Sequence, residues 1–131
     1  MNEYQFSFVR KDSFGEKLDV WQLARKRATE VYKATQSFPA EEKYSLVSQI
    51  RRSAVSVSAN MAEGTTRQTA KDQAHFTTIS FSSLMELFNH LIIAADLGYI
   101  RNEELVVYRQ QIQQLSVKLS NLRASQVKRI N

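Results

Sequence analysis

The chain has no cysteine, one proline and three glycines among its 131 residues. Without cysteine there is no disulfide framework and no thiolate nucleophile or metal ligand, as expected for a reducing compartment. An all-β chain needs turn residues at short, regular intervals, and so few breakers cannot supply them. Long apolar runs are missing too. The longest uninterrupted one, Leu91–Ala95, is too short to cross a membrane. The opening "MNEYQFSFVRK" lacks the basic-then-apolar order of a secretory signal. The expectation is a cytoplasmic protein without a membrane segment.

Acid is absent where base accumulates. The formal charge is +5, yet residues 68–100 carry only Lys71 against Asp72, Glu86 and Asp96. Beyond Glu104 there is no acidic residue, while Arg109, Lys118, Arg123, Lys128 and Arg129 follow it. A second basic cluster is Arg25-Lys26-Arg27. This asymmetry suits nucleic acid or another polyanion, and suits equally a solvated basic surface.

The breakers that exist are well spaced. Gly15, Pro39, Gly64 and Gly98 divide the chain into four segments of helical length, within the size of one domain. The division expected is an N-terminal arm, 1–12, and a bundle domain, 13–131. In the arm, Tyr4, Phe6 and Phe8 alternate as a clasp for a neighbouring subunit, as base-stacking aromatics or as a frayed tail.

The first helix is expected from about Ser13 to Ser37. Ser13 and Glu16 have capping-box spacing, and Leu18, Trp21, Ala28, Val31, Thr35 and Phe38 recur at helical spacing. The second is expected from Pro39, with Glu41 and Glu42 in its first turn and Gly64 as a left-handed stop.

Within that segment "VSVSA" (Val55–Ala59) alternates like a strand. However, Leu46, Val47, Ile50, Ala54, Val57 and Met61 share one helical face over the whole segment, so helix is expected. Two further bands then need explaining. One is Tyr44, Ser48, Val55, Ala59 and Ala62; the other is Ser45, Gln49, Ser53, Ser56 and Asn60. Small side chains permit close helix approach, so this helix is expected to pack on more than one side.

A third helix opens at Thr69-Ala-Lys-Asp72 and ends before Gly98. From Phe76 to Leu97, 13 of 22 residues are apolar, leaving a polar strip of Thr78, Ser82, Glu86, Asn89 and His90. That is more coverage than one helix of a monomeric bundle needs, so the helix is either unusually central or faces another subunit. The fourth helix is expected from an N-cap at Asn102. Leu105, Tyr108, Ile112, Leu115, Leu119 and Leu122 space its seam 3,4,3,4,3. The fold class expected is all-α: an antiparallel up-down four-helix bundle that is not a monomer.

Sites for chemistry are hard to find. His75 and His90 lie fifteen residues apart on one helix, about 22 Å, too far to share a metal. Glu86-Leu-Phe-Asn-His90 misses the Glu-x-x-His of di-iron bundles by one place. No phosphate-binding glycine loop, zinc-protease or nucleophile-elbow motif occurs. No enzyme, cofactor or metal is expected. Asn60, Glu63 and Arg67 would sit at the junction of helices two and three, either as a site or as helix-end hydrogen bonds and a Glu63–Arg67 pair.

"FGEKLDVWQLA" (Phe14–Ala24), "SFPAEEKYSLVSQIRRSAVSVSANMAEG" (Ser37–Gly64) and "LIIAADLGYI" (Leu91–Ile100) resemble the bacterial four-helix-bundle proteins encoded in intervening sequences of large-subunit ribosomal RNA genes. Gln49-Ile-Arg-Arg52 with Ala59–Gly64 is the most specific part. The resemblance implies a homopentamer and brings no catalytic residue. Distantly similar proteins serve retroelements, where a basic pentameric barrel engages nucleic acid and a reverse transcriptase. In the family an aromatic, a second glycine and an arginine generally follow Gly64; here Thr65-Thr66-Arg67 follow. Phe88 stands where a second acid after Glu86 is common.

The function expected is a non-enzymatic homopentamer that contacts RNA through Arg25, Lys26, Arg27, Arg51, Arg52, Arg123, Lys128 and Arg129. The alternative is a structural adaptor whose partner is a protein.

Overall fold

The computed structural model describes residues 15–130, with side chains from residue 19 onward. Among the described residues there are four α-helices and no strand: α1 (Gly15–Thr35), α2 (Leu46–Gly64), α3 (Ala70–Asp96) and α4 (Asn102–Lys128). A 3₁₀ turn, Ala40–Glu42, precedes α2. The Ser13–Glu16 cap, the arm with Tyr4, Phe6 and Phe8, and the Leu18 side chain lie outside the described residues.

The helices bury the stripes expected of them. Trp21, Ala28, Val31, Thr35 and Phe38 are buried, together with Val20 and Ala24, which the α1 stripe omitted. On α2 all six expected core residues, from Leu46 to Met61, are buried. The α4 seam is buried at Ile112, Leu115, Leu119 and Leu122 and half-buried at Leu105 and Tyr108. Each fully buried leucine contributes about 1.5–3 kcal/mol relative to exposure.

The second helix begins later than expected. Pro39 has ψ 140°, an extended backbone, and is not the first residue of a helix. Glu42, Lys43 and Ser45 N–H groups each donate three residues back, to Pro39, Ala40 and Glu42. Side-chain ties hold this turn: Ser45 Oγ donates to Glu42 Oε1 at 2.6 Å and the Tyr99 hydroxyl donates to Glu42 Oε2 at 2.7 Å. Ser45 is then non-helical at φ −121°, ψ −99°, and α2 starts at Leu46.

Gly64 is no left-handed stop, since Gly98 is the positive-φ glycine, at φ 80°. A Cβ on Gly64 would lie 3.0 Å from the Cβ of Phe76, so close approach to α3 is what calls for glycine there. Gly98 makes the expected end of α3. Its N–H donates to Ala95 O at 3.0 Å and the Tyr99 N–H to Ala94 O at 2.9 Å, a Schellman arrangement.

Thr69 caps α3 as expected, its Oγ1 accepting from the Asp72 N–H at 3.1 Å. At α4 the cap position is Arg101, not Asn102, which is the first helical residue. The Glu104 carboxylate reaches back to the Arg101 N–H at 3.1 Å.

The helix contacts step in opposite order along neighbouring helices. Between α2 and α3, Gly64 meets Phe76, Ser80 Oγ donates to Val57 O at 2.9 Å and Ser56 Oγ lies 2.8 Å from Ser83 Oγ. Between α3 and α4 the pairs are Gln73–Arg129, Thr77–Gln126 and Thr78–Arg123. The α2–α3 contact is the most extensive, and α1 touches α4 least.

In the serine-rich band of α2, Ser56 meets α3, Ser53 is buried and Asn60 half-buried, while Ser45 and Gln49 are exposed. The other small-residue band is mostly open: Tyr44, Val55 and Ala59 are exposed, Ser48 is half-buried, and Ala62 packs against the core. On α3 the polar strip is exposed except at His90, which is buried with Nε2 3.3 Å from Glu86 Oε1. The surplus apolar surface of α3 includes exposed Met85, Ile92, Ile93 and Leu97. By length and composition α3 could cross a membrane (mean hydropathy 1.3), although its longest unbroken apolar run is Leu91–Ala95. Its buried Thr77, Ser80 and Ser83 hydroxyls bond to α2 and α4 as in a core helix.

Candidate nucleic-acid interface

The eight basic residues named from the sequence fall at three places with different surroundings. Arg25, Lys26 and Arg27 are consecutive on α1, so they project in three directions. Arg27 turns inward. Its side chain is 17% exposed and its Nη1 donates to Glu30 Oε2 at 2.8 Å. Its Nε is buried without a hydrogen-bond partner, beside a narrow gap walled by Val31, Leu87, Tyr108 and Ile112. The Arg25 guanidinium lies 5.3 Å from the Trp21 ring centroid. Lys26 is exposed. An open groove holds Arg25, Lys26 and Lys33 together with Asp19 and Glu30, so its charge is mixed.

Arg51 and Arg52 also part company. Arg51 Nε donates to Thr35 Oγ1 at 2.9 Å and Nη2 to Tyr32 O at 3.1 Å, with the guanidinium 4.5 Å from the Tyr32 ring centroid. It therefore satisfies carbonyl and hydroxyl acceptors in the last turn of α1, where carbonyls lack intrahelical partners. Arg52 is exposed.

The third place is the end of the molecule where α4 finishes beside the start of α3. Arg123 Nε donates to Thr78 Oγ1 at 2.8 Å. Arg129 Nη2 donates to Gln73 Oε1 at 3.1 Å, and Gln73 Nε2 donates to Arg67 O at 3.0 Å. Beneath them Thr77 Oγ1 donates to Gln126 Oε1 at 2.7 Å, with Gln126 1% exposed. Lys128 is exposed in the last turn of α4. This buried amide–hydroxyl set was missed in the sequence. Gln126 does stand at the next step of the 3,4 spacing after Leu122, which is the signal that could have found it.

At the helix junction, Asn60 Nδ2 donates to Ser56 O and Ser56 Oγ, both at 2.9 Å. Arg67 Nη2 pairs with Glu63 Oε1 at 2.9 Å, and its guanidinium lies 4.5 Å from the Phe76 ring centroid. Arg67 Nε is buried without a partner. Asn60 thus bonds within α2, while the Glu63–Arg67 pair reaches the start of α3 through the Phe76 ring and the Gln73 amide.

The opposite end carries acid. Hydrogen bonds from Ser45 and then Tyr99 hold the Glu42 carboxyl below its ordinary pKa, and the Tyr99 hydroxyl is raised in return. The Arg101 N–H and guanidinium likewise lower Glu104. Burial, with the nearby Glu104 and Glu30 charges, raises Tyr108. Among the described residues no group of three or more His, Cys, Asp or Glu side chains comes together as a metal site.

A search of curated proteins finds no match to this chain. A family model described as the 23S rRNA-intervening sequence protein matches residues 16–121. With all four helices inside or overlapping that span, the chain belongs to the 23S rRNA-intervening sequence protein family.

Proposed function

We propose that this protein is a non-enzymatic, cytoplasmic homopentamer of antiparallel four-helix bundles that associates with RNA through its basic surface. The contact pairs that step in opposite order along α2, α3 and α4 support the antiparallel arrangement. Exposed Met85, Ile92, Ile93 and Leu97 on α3 support assembly, since contact with another subunit would remove their apolar surface from water. The observation that carries the RNA reading is the run of α4 beyond Glu104, which has base and no acid. Such a surface attracts phosphate without a requirement for sequence.

A second reading is an adaptor for a protein partner, favoured by Val106, Val107 and Val117, which are exposed on α4 among its polar residues. Native mass spectrometry of protein purified gently at low salt from its own host separates the two. Five subunits carrying nuclease-sensitive mass are expected. Five subunits with one stoichiometric protein that survives nuclease would select the adaptor, and a monomer would remove both.

A further inference from the structure

Three of the described arginines, Arg27, Arg67 and Arg101, pair with Glu30, Glu63 and Glu104. Arg51 keeps its charge but commits two hydrogen bonds to neutral acceptors at the end of α1 and its face to the Tyr32 ring. Arg123 and Arg129 differ. Each is held by one hydrogen bond to a neutral oxygen, the Thr78 hydroxyl or the Gln73 amide. Neither has a carboxylate partner among the described residues. A guanidinium has five N–H donors, so each is oriented yet keeps its full charge and most of its donors. Arg123 in particular is held through Nε, which leaves both Nη groups to meet an incoming oxygen pair.

Their supports are firm. Gln73 is 5% exposed and is fixed at both ends of its amide, by the Arg67 carbonyl and by Arg129. Gln126 is locked to Thr77, so the stretch of α4 between the two arginines is pinned to α3. Arg123 and Arg129 flank Gln126 at roughly 60° on either side and are separated by a rise of roughly 9 Å. The two arginines therefore stand on opposite flanks of the buried Gln126–Thr77 bond, so each would meet a phosphate of its own. Exposed Lys71 and Lys128 lie in the adjoining turns, with exposed Asp72 beside Lys71, so Lys128 is the net addition to the positive field. Arg123, Lys128 and Arg129 fall beyond the residues matched by the family model.

We infer that this end of the bundle, through Arg123 and Arg129, grips two phosphates of a single-stranded RNA backbone, and that the α1 cluster does not. The inference rests on the RNA reading given above and assigns the contact within it. The pre-set forks match phosphate geometry, while the α1 groove mixes base with Asp19 and Glu30.

The test is fluorescence anisotropy with a short mixed-sequence single-stranded RNA and the full chain, titrated over a range of salt. The double substitution Arg123→Gln/Arg129→Gln is expected to weaken binding and to reduce the log–log salt slope by roughly 1.4, two contacts at about 0.7 each for a single strand. Arg25→Gln/Lys26→Gln is expected to leave the slope at the wild-type value. Arg123→Lys/Arg129→Lys keeps the charge and loses the fork, so its slope should hold while affinity falls. Thr78→Val, which frees Arg123 without removing it, should do the same more weakly. Circular dichroism checks that each variant is helical, and the lysine pair decides the matter if the glutamine pair does not fold.

A wild-type slope in a folded glutamine pair, or in the lysine pair an affinity equal to wild type, overturns the assignment and leaves the RNA reading standing. Absence of RNA binding by the wild-type protein overturns both. Tighter binding to anionic phospholipid vesicles than to RNA, lost in the same variants, overturns the choice of partner.

Discussion

Helix α3 has two neighbours and meets them by opposite means. Toward α2 it uses small residues: Ser80 on the Val57 carbonyl, Ser83 against Ser56, and a glycine where Phe76 crosses. Toward α4 it meets a seam of large ones, Ile112, Leu115, Leu119 and Leu122, closed at one end by the Thr77–Gln126 bond. The first contact depends on how near two backbones come, and the second on how well a gap is filled. Interaxial distance follows the side chains at the contact, so the two sides of one helix should fail in opposite ways.

The α4 side should be the more sensitive to loss of volume. Leu119 is fully buried, and Leu119→Ala should destabilise by about 2–5 kcal/mol, the lost transfer energy plus a cavity. Urea unfolding at fixed protein concentration measures this, because association contributes to apparent stability. A loss under 1 kcal/mol would mean that α3 and α4 collapse onto the gap. The α2 side should be sensitive to gain of volume. Gly64→Leu places a side chain where even a Cβ is 3.0 Å from Phe76, and about 1–3 kcal/mol is expected from overpacking. If it unfolds like wild type, the close approach is soft and the contrast between the two sides fails.

The large-residue side was legible in the sequence and the small-residue side only partly. Apolar spacing reports which face is buried, so the α4 seam and the α2 core stripe were found residue by residue. It does not report which small residues meet which helix. The Ser53–Ser56–Asn60 band was separated from the Val55–Ala59 band, but only the three-dimensional pairing shows that Ser56 faces α3 while Val55 and Ala59 stay open.

The second helix was placed from Pro39 because proline and acids suit a first turn. That propensity is local, and the Tyr99–Glu42 bond that overrides it spans 57 residues. Among the basic residues, charge was visible but compensation was not. Arg27 reads like Arg123 until Glu30 is seen beside it.

A finer comparison between the two sides is a single hydroxyl. Ser80 is fully buried and donates to Val57 O, a carbonyl inside α2 that also serves its own helix. Ser80→Ala removes one bond and leaves no donor unpaired, so a loss of about 1 kcal/mol is expected. A loss several times larger would show that the bond sets the distance between α2 and α3, since the small residues on either side would then have to repack.

The smallest effect expected is in acid, and it compares the ties that end each side of α3. Glu42, held by Ser45 and Tyr99, closes the α2 side, and Glu104, held by Arg101, opens α4. Both carboxyls are lowered in the folded chain. Their contribution is therefore present above the ordinary glutamate range, near 4.3, and is lost as the pH falls through the lowered folded values. Glu42→Gln and Glu104→Gln should each be slightly less stable than wild type at pH 7, with the difference shrinking as the pH drops through that range. Thermal melts across pH 7 to pH 2 measure it. Because the Glu42 tie joins segments 57 residues apart while the Glu104 tie spans three, the Glu42 difference should be the larger. Equal differences would mean that the long-range tie only decorates a turn already fixed by Phe38 packing against Tyr99.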